Sequence, residues 1–172
     1  MTLKNGTDYT VKASGSEESW KQYQYTIHKE NFEKEGNYTV TIDSRDRATN
    51  QINNKVKDKN IEFVIDKTKP TVVITGIENK AQYRADSRDI TVAVSDNIAL
   101  DGMEIYADGK EAAAKSYTAN MIAKAKGQIP YTLNSATSFQ EVKAVATDAA
   151  GNVAESEPMS VLVTSNIFVQ FY

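Results

Sequence analysis

The sequence has no cysteine and a single histidine, His28. Without a thiol there is no disulfide framework, no thiolate zinc site and no thiol nucleophile. With one imidazole there is no paired-histidine zinc site and no mechanism that needs two. Excess positive charge is also missing. The chain carries 20 basic and 23 acidic residues for a net charge of −3, so nucleic acid is not an expected partner. No apolar run reaches the roughly 18 residues of a membrane span, and the opening Met1-Thr2-Leu3-Lys4 lacks the charged start and apolar stretch of a signal peptide. Gly-x-Ser-x-Gly, a phosphate-cradling glycine loop and a metalloprotease pattern are all absent. Carboxylates are plentiful, but none sits in a motif that fixes a catalytic spacing. These absences point to a chain with no catalytic residues and no organic cofactor.

What is present is globular: 40% hydrophobic and 25% charged residues over 172 positions, more than one small sandwich domain needs. The chain also repeats itself. Tyr38–Ile42 followed by Asp46-Arg47-Ala48-Thr49-Asn50 matches Val142–Ala146 followed by Asp148-Ala149-Ala150-Gly151-Asn152. Upstream, Tyr25-Thr26-Ile27 and Phe32 match Tyr131-Thr132-Leu133 and Phe139; downstream, Ile61–Ile65 matches Ser160–Thr164. Three strand-like blocks in one order indicate two copies of one β unit. The boundary falls at Asp66-Lys67-Thr68-Lys69-Pro70, where proline cannot join a ladder and holds its neighbour extended. A domain over 1–66 therefore precedes one over 67–172, and neither is a charged tail: 10 basic and 11 acidic residues against 10 and 12.

The second copy shows a full set of short strands rich in Val, Ile, Thr and Tyr: 71–75, 90–95, 103–107, 130–134, 141–147 and 159–164. Ile90, Val92 and Val94 share one face by period-two alternation. Turn signals at Asn97, Asp108-Gly109 and Gly151-Asn152 separate the strands, and Thr118–Lys126, backed by Gly127, reads as one short helix. The expected fold class is all-β, an antiparallel immunoglobulin-like β-sandwich in each copy. The first copy lacks its opening strands, because Leu3–Val11 resembles the middle of the repeat near Ile105–Gly109. An incomplete sandwich exposes sheet edges, so compensation through domain contacts or pairing between chains is expected. The aromatic tail Ile167–Tyr172 is read either as a packed last strand or as the approach to a membrane anchor outside this segment.

Asp66–Pro70, the Val/Ile strand after it, Ser95-Asp96-Asn97, Asp108-Gly109 and Ala146–Asn152 together resemble bacterial immunoglobulin-like repeats. These occur in tandem in secreted or wall-attached proteins of Gram-positive bacteria. The resemblance spans nearly all of 67–165 and the later half of the first copy. It implies an extracellular, non-catalytic module flanked by neighbouring repeats of the same protein. The function it implies is a stalk that displays something else at the cell surface, with an adhesive role as its extension. The alternative is an accessory module that binds a carbohydrate or a surface protein beside a catalytic domain elsewhere.

Two site readings follow. In a sandwich of this topology the loop after the second strand and the last hairpin share a pole. That brings Asp96 and Asn97 near Asp148 and Asn152, oxygen-bearing residues suited to calcium; the first copy offers Asp43, Asp46 and Asn50. The competing account is turn chemistry, since Asp caps backbone amides and Gly-Asn supplies a positive φ. One or two carboxylates also fall short of the oxygens calcium wants. The second site is aromatic. Alternation turns Tyr23, Tyr25 and Ile27 toward the core together, leaving Trp20 as the exposed candidate for a ligand. His28 reads as an exposed strand residue. Lys143 points outward from Val142 and Ala144, away from any intramolecular cross-link.

Overall fold

The computed structural model describes residues 1–15, 22–45, 51–53, 61–108 and 113–165. Trp20, Asp46, Asn50 and the Ile167–Tyr172 tail lie outside the described residues. The chain divides into two compact units, Met1–Asp66 and Lys67–Tyr172.

In the first unit, β1 (Tyr9–Ser14) pairs with β2 (Gln22–Ile27), β3 (Gly36–Val40) with β6 (Ile61–Ile65), and β4 (Asp43–Arg45) with β5 (Gln51–Asn53). All three ladders are antiparallel. A 3-10 turn at Lys29–Phe32 follows β2. It is tied back to the first turn of the chain: His28 Nδ1 donates to the Thr7 carbonyl at 2.9 Å, and Asn31 Nδ2 donates to the Asp8 carbonyl at 2.9 Å. His28 is thus a half-buried fastener. The apolar centre is aromatic, with the Phe32 ring edge-on to Tyr38 and Phe63 at 5.2 and 5.0 Å and those two stacked at 5.5 Å. No described residue of this unit is fully buried. Tyr23 and Tyr25 were expected to be core-facing, yet they are 53% and 38% exposed. Alternation does put them on one face, but no described element covers it beyond the Tyr9 ring, 5.9 Å from Tyr25.

The second unit is an immunoglobulin-like sandwich whose described ladders are all antiparallel but for one short parallel pair. β7 (Thr71–Thr75), β9 (Ser87–Ser95) and β12 (Gln128–Asn134) form one sheet in the order β12-β9-β7. The other sheet takes β8 (Gln82–Tyr83), β10 (Leu100–Ala107), β11 (Lys115–Thr118), β13 (Gln140–Asp148), β14 (Val153–Glu155) and β15 (Met159–Val163). Its order is β11-β10-β13-β15-β8, with β14 also on β13 and with β8 parallel to β15. Chain-adjacent β9 and β10 lie in opposite sheets, as do β12 and β13, the crossovers of a Greek-key sandwich. Strict alternation builds the core. Ile90, Val92 and Val94 on β9 face Met103 and Ile105 on β10 and Val142, Ala144 and Ala146 on β13, all essentially inaccessible to solvent.

Among the described residues the one α-helix, α1 (Ala119–Lys124), links β11 to β12. Thr118 Oγ1 accepts from the Met121 amide to cap it, and Ile122 pins it to the core. Gly127 ends the turn at φ +71° and accepts from Val94 N at 2.9 Å; a Cβ there would run into the Val94 carbonyl. Among the described residues no helix is long and apolar enough to cross a membrane.

The internal repeat has a structural counterpart in part. β3 pairs antiparallel with β6 as β13 does with β15. The ladders set Tyr38 opposite Phe63 and Val142 opposite Met159, so the last block is offset from its alignment in sequence.

Candidate metal centre

The inward row of β9 runs Ile90, Val92, Val94 and then Asp96; that of β13 runs Val142, Ala144, Ala146 and then Asp148. Each strand thus carries a carboxylate in the position alternation gives to the next core side chain, at the edge of the hydrophobic layer. A carboxylate there has to be hydrogen-bonded or paired with a cation.

Asp148 is 1% exposed and its own hairpin satisfies it. Oδ1 accepts from the amides of Ala150 (2.9 Å) and Asn152 (2.8 Å), and Oδ2 from Asn152 Nδ2 at 2.7 Å. Gly151 at φ +91° folds the turn so that these donors converge, and its amide donates to the Asp148 carbonyl at 3.1 Å. Burial on its own would raise the Asp148 pKa. The Asn152 side chain and the amides of Asn152, Ala150 and Gly151 outweigh it and hold the carboxyl below the ordinary 3.8, so it is ionised near neutral pH.

Asp96, half-buried, begins the β9–β10 turn. Its Oδ2 accepts from the amides of Ile98 (2.8 Å) and Ala99 (2.9 Å). Its Oδ1 is buried with no hydrogen-bond partner. The two turns are joined where Ala149 N donates to the Ala99 carbonyl at 2.9 Å. The chain entering β7 reaches the same pole. Pro70 is buried, and Asn152 Nδ2 also approaches the Thr68 carbonyl at 3.4 Å. Carboxylate oxygens of Asp66, Asp96 and Asp148 lie within 4.8 Å of one another. Asp66 is bonded directly to Lys67, the first residue of the second unit.

Turn chemistry is therefore present here beside a group of three carboxylates close enough to hold a metal ion. The amides occupy both lone pairs of Asp148 Oδ1 and one of Oδ2. A second lone pair on Oδ2, the buried Asp96 Oδ1 and the Asp66 carboxylate complete an all-oxygen set suited to a hard divalent cation. Three carboxylates at this spacing repel one another, and a cation among them removes that repulsion. Oxygen donors of this kind are those that calcium takes.

Of the residues singled out by sequence, Asp96 and Asp148 meet in this cluster. Asn152 orients Asp148 through its amide nitrogen, and Asn97, exposed on the turn, is not in the carboxylate set. Asp43 is exposed in the first unit. Asp66 was read from sequence only as punctuation before the joint. The signal that finds it is positional: an aspartate four residues ahead of the proline that opens β7. Lys143 faces outward, 3.4 Å from Glu155 Oε2 and 5.3 Å above the Tyr106 ring.

No protein-family model matches the chain, and no curated protein matches it. Among solved structures, the fibronectin(III)-like modules of Clostridium thermocellum CbhA are similar to it. The identity is 21% over 57% of this chain and 100% of that one, with a TM-score of 0.44.

Proposed function

We propose that this chain is a non-catalytic display segment of a bacterial extracellular protein, with a calcium site at the pole where the polypeptide enters its second sandwich. The observation that carries this reading is the convergence of Asp66, Asp96 and Asp148 where the polypeptide enters the second sandwich. Here Pro70 is sunk into the sandwich and Asn152 reaches the Thr68 carbonyl, so a cation bound by Asp66 would fasten the residue just before them. The lone imidazole holding a turn and the absence of a thiol agree with a chain that displays rather than catalyses. A wall-attached protein of a Gram-positive bacterium, with neighbouring repeats on either side, is the setting we assign to it.

Trypsin tests the site. Lys67 is exposed, and Lys69 precedes a proline, which blocks cleavage there. The expected result is cleavage after Lys67 that slows at least tenfold in millimolar calcium and returns to the chelated rate in Asp96→Asn. Equal rates with calcium and with chelator would overturn the calcium site.

A further inference from the structure

Polar side chains stand at both ends of the inward row of β13. The row begins on Gln140 and ends on Asp148, with Val142, Ala144 and Ala146 between them. Gln140 is only 6% exposed. Its Nε2 donates to the Asn134 carbonyl at 2.8 Å, the one hydrogen bond of this side chain among the described residues. The amide keeps a second N–H and an oxygen to satisfy, and burial makes leaving them idle costly. Gln140 lies on the wall of a cavity of about 260 Å³. This cavity and the three aspartates lie at opposite poles of the sandwich. Asp96 precedes β10 and Asp148 ends β13, whereas Asp108 follows β10 and Gln140 begins β13.

The β12–β13 loop forms most of the wall, and it is held in place at its start. Ser135 N donates to the Asp86 carbonyl at 2.9 Å and Ala136 N to the Val163 carbonyl at 2.8 Å. The cavity is thus shaped before a ligand arrives. Its lining selects the chemistry. No Lys or Arg is among the described lining residues, so an anion finds no counter-charge, and a single carboxylate, Asp108, is too few for a metal ion. The hydroxyls of Ser135, Thr137 and Ser138 beside the Gln140 amide disfavour a lipid. One large apolar side chain stands among them, Phe139, 45% exposed. Donors and acceptors gathered round one aromatic ring suit a neutral ligand with many hydroxyls on an apolar ring. The volume lies just under the roughly 300–1,000 Å³ of sites for drug-sized ligands, which leaves room for one such ring.

We propose that this cavity is a saccharide site. It takes one neutral sugar ring, whose hydroxyls bond the Gln140 amide and the loop hydroxyls and whose C–H face lies on Phe139. The inference stands whether or not the opposite pole binds calcium.

The test follows amide chemical shifts of the 172-residue chain by NMR, in chelator, as glucose, galactose or N-acetylglucosamine is added. Sorbitol, a polyol with the hydroxyls and no ring, is the control. The expected result is a saturable shift at Asp108 and Ser135–Gln140 with at least one of these sugars, in the millimolar range, and none with sorbitol. Phe139→Ala, a change at an exposed side chain, should weaken that binding at least tenfold while the amides of β9 keep their positions. No saturable shift with any of the sugars, equal shifts with sorbitol, or undiminished binding by Phe139→Ala would overturn the proposal.

Discussion

Asp148 occupies a core position as a charge, and the amides around it make that tenable. Its folded pKa lies below the ordinary aspartate value, so the sign of its effect is set. The native state binds this proton less readily than the unfolded chain. The contribution to stability is therefore complete above the unfolded value and is lost as pH falls through the folded one. The midpoint of urea unfolding of the second unit should fall as pH drops below the ordinary aspartate range, and Asp148→Asn should flatten that fall. At neutral pH the same variant should be less stable, because Asn152 and the amides of Ala150 and Asn152 lose their charged acceptor. An acid profile identical in both proteins would remove Asp148 from this role.

At the scale of elements, two glycines with positive φ separate conformational preference from space. Gly151, at φ +91°, has open space where a Cβ would go, so Gly151→Ala should cost only the left-handed penalty, about 1–2 kcal/mol. Gly127 combines φ +71° with a Val94 carbonyl in the way of a Cβ. Gly127→Ala should exceed that penalty, at about 3 kcal/mol or more, because β9 or the end of α1 has to move. Chemical denaturation of the two variants checks the order. The elements easiest to read in the sequence are those with long alternation, namely β7, β9, β12, β13 and β15, together with the Thr118-capped helix. In the second unit the strands that alternation does not reveal, β8, β11 and β14, are two to four residues long, too short for a period of two to show. Asp66 escaped for another reason: its place beside Asp96 and Asp148 comes from tertiary folding, whereas its local sequence says only that a strand is about to begin. The shared face of Tyr23 and Tyr25 was legible from alternation, but their exposure was not, because burial depends on a covering sheet that no local pattern reports.

For the whole molecule, the contrast between the units predicts two transitions. The first unit has no fully buried side chain among its described residues, whereas the second closes a continuous core between two sheets. Calorimetry should show the first unit melting at lower temperature, with amides of β9 and β13 the last to exchange. One cooperative transition for the entire chain would refute this division. Calcium should act on one transition only, raising the melting temperature of the second unit by mass action. The most direct test of the calcium-site account is a calorimetric titration of calcium into the chelator-stripped chain beside its Asp148→Asn variant. The account predicts one binding event in the parent chain, weakened at least tenfold or lost in the variant. No binding heat at millimolar calcium, together with identical melting curves in calcium and in chelator, would contradict it.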